Sequence, residues 1–166
     1  ALKKKAPNHL YLGTRLHGRA LQSEQIFVAA GKHADVISVN YYHRWTPEKE
    51  RIENWSALAG KPILITEWYA MAEDSDLPID RYGAGFPVGT QADRAKFYHH
   101  FSLGLLQIPS CIGWHWFKYR DSRNNAGIVD KESKPYDVLW KSMKQIHHQA
   151  YSLVNYFDHQ RENNIE

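Results

Sequence analysis

The chain has 166 residues, 43% hydrophobic and 23% charged, with a formal net charge of +3. That supports one globular domain with a real core and is too weakly basic to point to nucleic acid. The single cysteine, Cys111, excludes an internal disulfide framework, and no run approaches the ~20 apolar residues of a membrane span.

Residues 9–16 read as a first strand, after Pro7 and Asn8. A helix is expected over residues 23–30, with Ser23 as N-cap and Gly31 as the stop. Residues 35–42 form a second strand. Pro47 and Glu48 open a second helix that carries Ile52, Trp55 and Leu58 at helical spacing and stops at Gly60. Residues 62–69 are a near-continuous apolar run ending on Glu67, the pattern of a strand buried on both faces. A long connection follows, residues 70–89, of a length that is usually functional or disordered. Thr90 and Asp93 have capping-box spacing and start a third helix, with Phe97, Phe101 and Leu105 on one face. Residues 111–117 are a fourth strand. A last helix begins near Pro135 and buries Leu139, Met143 and Ile146.

Four strands alternating with four helices imply a parallel sheet with crossover helices. A complete (β/α)₈ barrel takes about 250 residues, so the expected fold class is α/β, specifically the C-terminal half (strands five to eight) of a (β/α)₈ TIM barrel. Residues 1–157 form the half barrel and residues 158–166 a polar tail. The competing open-sheet nucleotide-binding fold is disfavoured because no Gly-rich phosphate turn follows the first strand.

The candidate chemistry collects at the C-terminal ends of the strands, where barrels place their active sites. Glu67 is costly to bury unpartnered and fits a nucleophile or general acid in glycoside cleavage; the plainer reading is a structural carboxylate paired with Arg15 or another strand-end base. Alternation puts Asn40 and Tyr42 on one face and Tyr41 and His43 on the other. A hydroxyl at Tyr42 could orient a nucleophilic carboxylate, or simply be core with a wet end. Arg15 and His17 close the first strand, and Arg15 suits a carboxylate, a sulfate or sugar hydroxyls. Trp114, His115 and Trp116 close the fourth, and one indole could serve as a platform for a sugar ring. Asp74, Asp76 and Asp80 lack the glycine and terminal glutamate of a helix-loop-helix calcium site and read as a solvated loop. The adjacent pairs His99-His100 and His147-His148 do not share a helix face, so no metal site is expected.

Residues 65–70 (Ile-Thr-Glu-Trp-Tyr-Ala), 83–86 (Gly-Ala-Gly-Phe), 90–94 (Thr-Gln-Ala-Asp-Arg) and 113–119 (Gly-Trp-His-Trp-Phe-Lys-Tyr) resemble the β-agarase and β-porphyranase family of glycoside hydrolases, family eighty-six. A more distant likeness to other agarases runs through residues 11–15 and 40–42. The resemblance implies a retaining endo-glycosidase of the large barrel clan cleaving red-algal galactans, agarose or porphyran, with no cofactor. Its nucleophile, at the end of strand seven, falls on Glu67, with Tyr42 beside it. Arg15, His17, Asn40, His43, Trp114, His115 and Trp116 fall among the substrate contacts. The family's acid/base is a glutamate after an asparagine at the end of strand four. The first strand present here corresponds to strand five, and the neighbouring pair Glu53-Asn54 has the wrong order and sits in a helix. The implied partners are the polysaccharide and a missing N-terminal half barrel, or a second chain supplying it. The implied location is secreted or periplasmic. Two rivals remain: a non-catalytic carbohydrate-binding or structural half barrel, and another barrel glycosidase such as a β-galactosidase.

Overall fold

The computed structural model describes residues 2–80 and 83–163. In chain order the elements are α1 (Leu2–Lys5), a 3-10 turn (Gly18–Gln22), α2 (Glu24–Gly31), β1 (Ile37–Asn40), α3 (Lys49–Ala59), β2 (Ile63–Trp68), β3 (Ala70–Ala72), β4 (Phe86–Val88), α4 (Gln91–Leu106), β5 (Cys111–Trp116) and α5 (Asp137–Asn163). Local chemistry sets the helix ends. α3 stops at Gly60, in the left-handed conformation at φ 61°, which costs glycine nothing. α4 starts from a capping box: the Thr90 hydroxyl accepts from the Asp93 N–H at 3.1 Å, and the Asp93 carboxylate accepts from the Thr90 N–H at 3.1 Å.

The main sheet has the order β1-β2-β5, all parallel. Spatial order follows chain order, with helices α3 and α4 in the connections between neighbouring strands. The helices lie on one face. Phe27 of α2, Ile52 and Trp55 of α3, Phe97 and Phe101 of α4 and Met143 of α5 join Ile37, Val39, Ile63 and Ile65 of the strands in one core. The domain is therefore mixed α/β with parallel sheets. Among the described residues no helix is long and apolar enough to cross a membrane.

Four expectations are corrected. The first strand is reduced to one residue: Leu16 bridges Val39, donating to the Ser38 carbonyl at 2.8 Å and accepting from the Asn40 N–H at 2.9 Å. Gly13, at φ 64°, breaks the extended run, and Leu10, Tyr11 and Leu12 have no further strand to pair with and stay exposed. The 70–89 connection is not featureless, because β3 and β4 pair in parallel from Ala70 opposite Phe86 to Ala72 opposite Val88. The tail expected from residue 158 is helical as far as Asn163, since α5 meets no breaker and gains an Asp158–Arg161 ion pair. Finally, β2 is not buried on both faces. Ile63, Ile65 and Trp68 are buried, whereas Leu64 and Glu67 are only half-buried on the side the helices leave uncovered.

Candidate active site

Strict alternation along β2 would put Glu67 on the face of Ile63 and Ile65, in the apolar helix layer. An irregularity prevents this. Ile65 pairs with Val39, yet Glu67 pairs with Asn40, so Thr66 and Glu67 together oppose one step of β1. The same two residues sit between the Ile65–Trp114 and Trp68–Trp116 pairs, opposite His115. This extra residue is a bulge, and a bulge re-aims the side chains after it. Trp68 turns into the helix layer, stacking on Phe101 at 4.3 Å between ring centroids. Glu67 turns to the uncovered face, in a row with Asn40 and His115.

There Glu67 is held from both sides. Its Oε1 accepts from the Arg15 guanidinium and its Oε2 from the Tyr42 hydroxyl. Thr66 donates to the Asn40 amide oxygen at 2.9 Å, steadying the neighbouring strand end. Burial, and then the bond to Glu67, raise the Tyr42 hydroxyl well above its ordinary value, so it stays protonated and remains a donor. Tyr42 in turn rests edge-on against Tyr69, with centroids 6.0 Å apart. Tyr69 is itself pinned: a Cβ on Gly85 would come within 2.3 Å of its ring, so only glycine lets the loop lie this close. The side chain of Glu67 is 12% exposed and that of Arg15 57%. The carboxylate is thus shielded but reachable, and an ion pair this open adds little to stability. A carboxylate held by a cation and a phenol with one face open can attack an electrophilic carbon.

Beside it lies a cleft of about 750 Å³ lined by His17, Asn40, Tyr42 and His43 together with Arg44 and Arg51. Asn40 and Tyr42 share a face as alternation predicts, while Tyr41 packs inward against Trp55 and Phe101. His43 was expected on the face of Tyr41. It lines the cleft, as Tyr41 and Tyr42 do, and the chain turns there at φ 61°, a backbone region that non-glycine residues occupy mostly at functional or strained positions. Behind this wall Glu48 accepts from Tyr41 at 2.6 Å, Arg51 at 2.9 Å and Arg44 at 3.1 Å. Desolvation works against its ionisation, but these bonds prevail and pull Glu48 down to about 2.

Two of the expected substrate contacts lie elsewhere. Trp114 donates to the Tyr98 hydroxyl at 3.0 Å and Trp116 to the Ala126 carbonyl at 2.8 Å. Trp116 also meets Trp68 at 5.1 Å. Both indoles are half-buried against the main core, Trp116 also against the cluster of Tyr69, Met71 and Ala126, and His115 is exposed between them. Arg15 is committed to Glu67, the plainer of its two readings. Sequence reasoning missed Tyr69 and the arginines of the cleft. Their signal was present in the aromatic next to Trp68 and in Arg44 just past a strand end. Among the described residues no cluster of three or more His, Cys, Asp or Glu could hold a metal ion.

No protein-family model matches the chain. It is 33% identical to β-agarase B of Vibrio sp. (strain JT0107) across 92% of its own length and 16% of that protein. Among solved structures it superposes on BpGH50 with a TM-score of 0.90 at 45% identity, over 95% of this chain and 35% of the other. A structure described as an exo-β-agarase matches with a TM-score of 0.79 at 30% identity, over 92% of this chain and 21% of that one. The homologues of this chain are β-agarases, and it spans about a sixth of the length of the curated ones it matches.

Proposed function

We infer that this chain forms the nucleophile-bearing half of a β-agarase-type glycoside hydrolase acting on a red-algal galactan of the agarose type. One observation carries the reading: Glu67, re-aimed by the bulge in β2, stands at the C-terminal end of the middle strand with Arg15 and Tyr42 on its two oxygens. That is the position and the company of a retaining nucleophile.

The half-barrel architecture is supported by three features. Strand order follows chain order, helices cover one face only, and the Leu16 edge and β5 each lack an outer partner among the described residues. Parallel sheets are normally covered on both faces and their edges protected; strands one to four of a (β/α)₈ barrel would do both. The missing half would come from a longer chain or from a second one. BpGH50 and PfGH50B are names that favour family fifty over family eighty-six, and agarase names favour agarose over porphyran. The relative described as an exo-β-agarase favours release from chain ends over internal cleavage. A polymeric substrate of this kind suits a secreted or periplasmic enzyme.

In the proposed mechanism Glu67 attacks the anomeric carbon and forms a covalent glycosyl-enzyme while the leaving oxygen takes a proton from a second carboxyl group. Water then displaces Glu67 and configuration is retained. The two carboxyl groups of such a pair stand about 5–5.5 Å apart. In the proposed barrel the acid/base is supplied by the missing half, from the end of strand four.

The test is covalent labelling with an activated dinitrophenyl fluoro-galactoside. Its leaving group departs without a proton, so the nucleophile can be read independently of the acid. The expected adduct sits on the peptide containing Glu67 and vanishes in Glu67→Gln. Labelling of a different carboxylate, or equal labelling of the variant, overturns the assignment.

A further inference from the structure

The cleft beside Glu67 has an unusual lining for a neutral sugar. Arg19, Arg44 and Arg51 face it together with His17 and His43, and its described lining residues include no carboxylate. The nearest counter-charge is Glu48, which lies behind the wall and is shared by Arg44 and Arg51. Arg19 has no carboxylate partner among the described residues. Glu48 is held down to about 2 and so carries a full negative charge at neutral pH, yet one carboxylate between two guanidiniums leaves the wall net positive. Arg51 is pre-positioned by stacking on Trp55, with its guanidinium carbon 5.0 Å from the ring centroid.

Guanidinium groups fit oxyanions with paired, charge-assisted hydrogen bonds, and a hydroxyl on a neutral ring gains far less from them. The cleft adjoins the proposed nucleophile through one side chain, because Tyr42 lines it and donates to Glu67. An anion bound here would therefore be carried by the same sugar chain whose linkage is attacked. We propose that the cleft formed by Arg19, Arg44 and Arg51 is a subsite for an anionic substituent on the galactan, either a sulfate half-ester or a carboxylate. The proposal rests on the reading of Glu67 as the nucleophile of a galactan hydrolase.

Binding is measured on the chain by calorimetry with three matched agaro-oligosaccharides: neutral, sulfated and carboxylate-bearing. Each is titrated at low and at high ionic strength. The expected result is about 10-fold tighter binding of at least one anionic ligand at low salt, an advantage that screening erodes. In Arg19→Gln and Arg44→Gln, with folding checked by circular dichroism, the ratio of anionic to neutral affinity falls towards one. Arg51 is left in place because its stacking on Trp55 supports α3. Comparing the sulfated and carboxylate arms identifies which anion the wall takes. Neutral binding with no anionic preference, or a preference that survives both variants, overturns the subsite and leaves the galactan reading standing. Absence of binding by all three ligands overturns the subsite, and the reading of Glu67 is then decided separately by the covalent labelling.

Discussion

Two clusters in this molecule join the same three groups, a carboxylate, a tyrosine and an arginine. Around Glu67 the donors are Arg15 and Tyr42. Around Asp121 they are the Tyr136 hydroxyl at 2.5 Å and the Gly127 N–H at 2.6 Å, with Arg94 alongside. Arg94 is fully buried and donates to the Ala70 carbonyl at 3.0 Å, the Gly127 carbonyl at 2.8 Å and the Gln91 side chain at 2.8 Å. Its guanidinium also lies 5.0 Å from the centre of the Tyr136 ring. Burial lowers Arg94 to about 10, leaving it charged at neutral pH.

The difference lies in what the charges are bonded to. The Asp121 and Arg94 groups bond largely to backbone, and so tie β3 to the loop after β5. The Glu67 carboxylate bonds only to side chains, and one of these, Tyr42, lines the cleft. A charge saturated by buried backbone is committed to the fold, whereas a charge steadied by side chains at an open face is free to meet a substrate. Residue types alone do not separate the two cases.

Substitutions can break or sharpen this contrast. The largest effect is expected for Glu67→Gln in the enzyme with its complete barrel: a fall in kcat of at least ~10³-fold, with stability within ~1 kcal/mol of the parent. Urea unfolding and turnover of agaro-oligosaccharides measure both, and a variant that keeps its activity ends the nucleophile assignment. Arg94→Met should show the opposite profile, losing about 3 kcal/mol because the buried carbonyls of Ala70 and Gly127 are orphaned. A loss below ~1 kcal/mol in chemical denaturation would mean that the Arg94 cluster is not structural. Tyr42→Phe removes one donor to Glu67 and is expected to slow turnover about 10-fold or more, with kcat affected more than KM. The smallest effect is a pH dependence. Glu48 titrates near 2 when folded against an ordinary value of 4.5. Its stabilising share is therefore complete above about 4.5 and is lost as the pH falls from there towards about 2. Glu48→Gln should flatten that part of the stability curve; an unchanged slope would place the acid sensitivity elsewhere.

Much of this was legible in the residues. The Thr90–Asp93 capping box, the Gly60 stop and the spacing of Ile52 and Trp55 each act locally, over a few residues, and each appears as expected. Period-two alternation put Asn40 and Tyr42 on one face, and the resemblance implied Tyr42 beside Glu67, to which its hydroxyl donates. The packing of Trp114 and Trp116 was not legible, for the opposite reason. Which face of β5 the indoles occupy depends on where α4 places Tyr98 and on where the loop after β5 places Ala126, and both partners are distant in sequence. The pairing of β3 with β4 was likewise invisible, because its two short strands are separated by a polar stretch and meet only through the fold.

By itself, then, the sequence determined that this protein alternates strands and helices and ends its most apolar strand on a glutamate, because periodicity and capping are local properties. The direction in which that glutamate points was decided only by tertiary structure. The bulge at Thr66 exists through the registers of β1 and β5 on either side of β2, and a one-residue shift sends every following side chain to the other face. Without it Glu67 would lie in the helix layer with Ile65, and Trp68 would face the cleft.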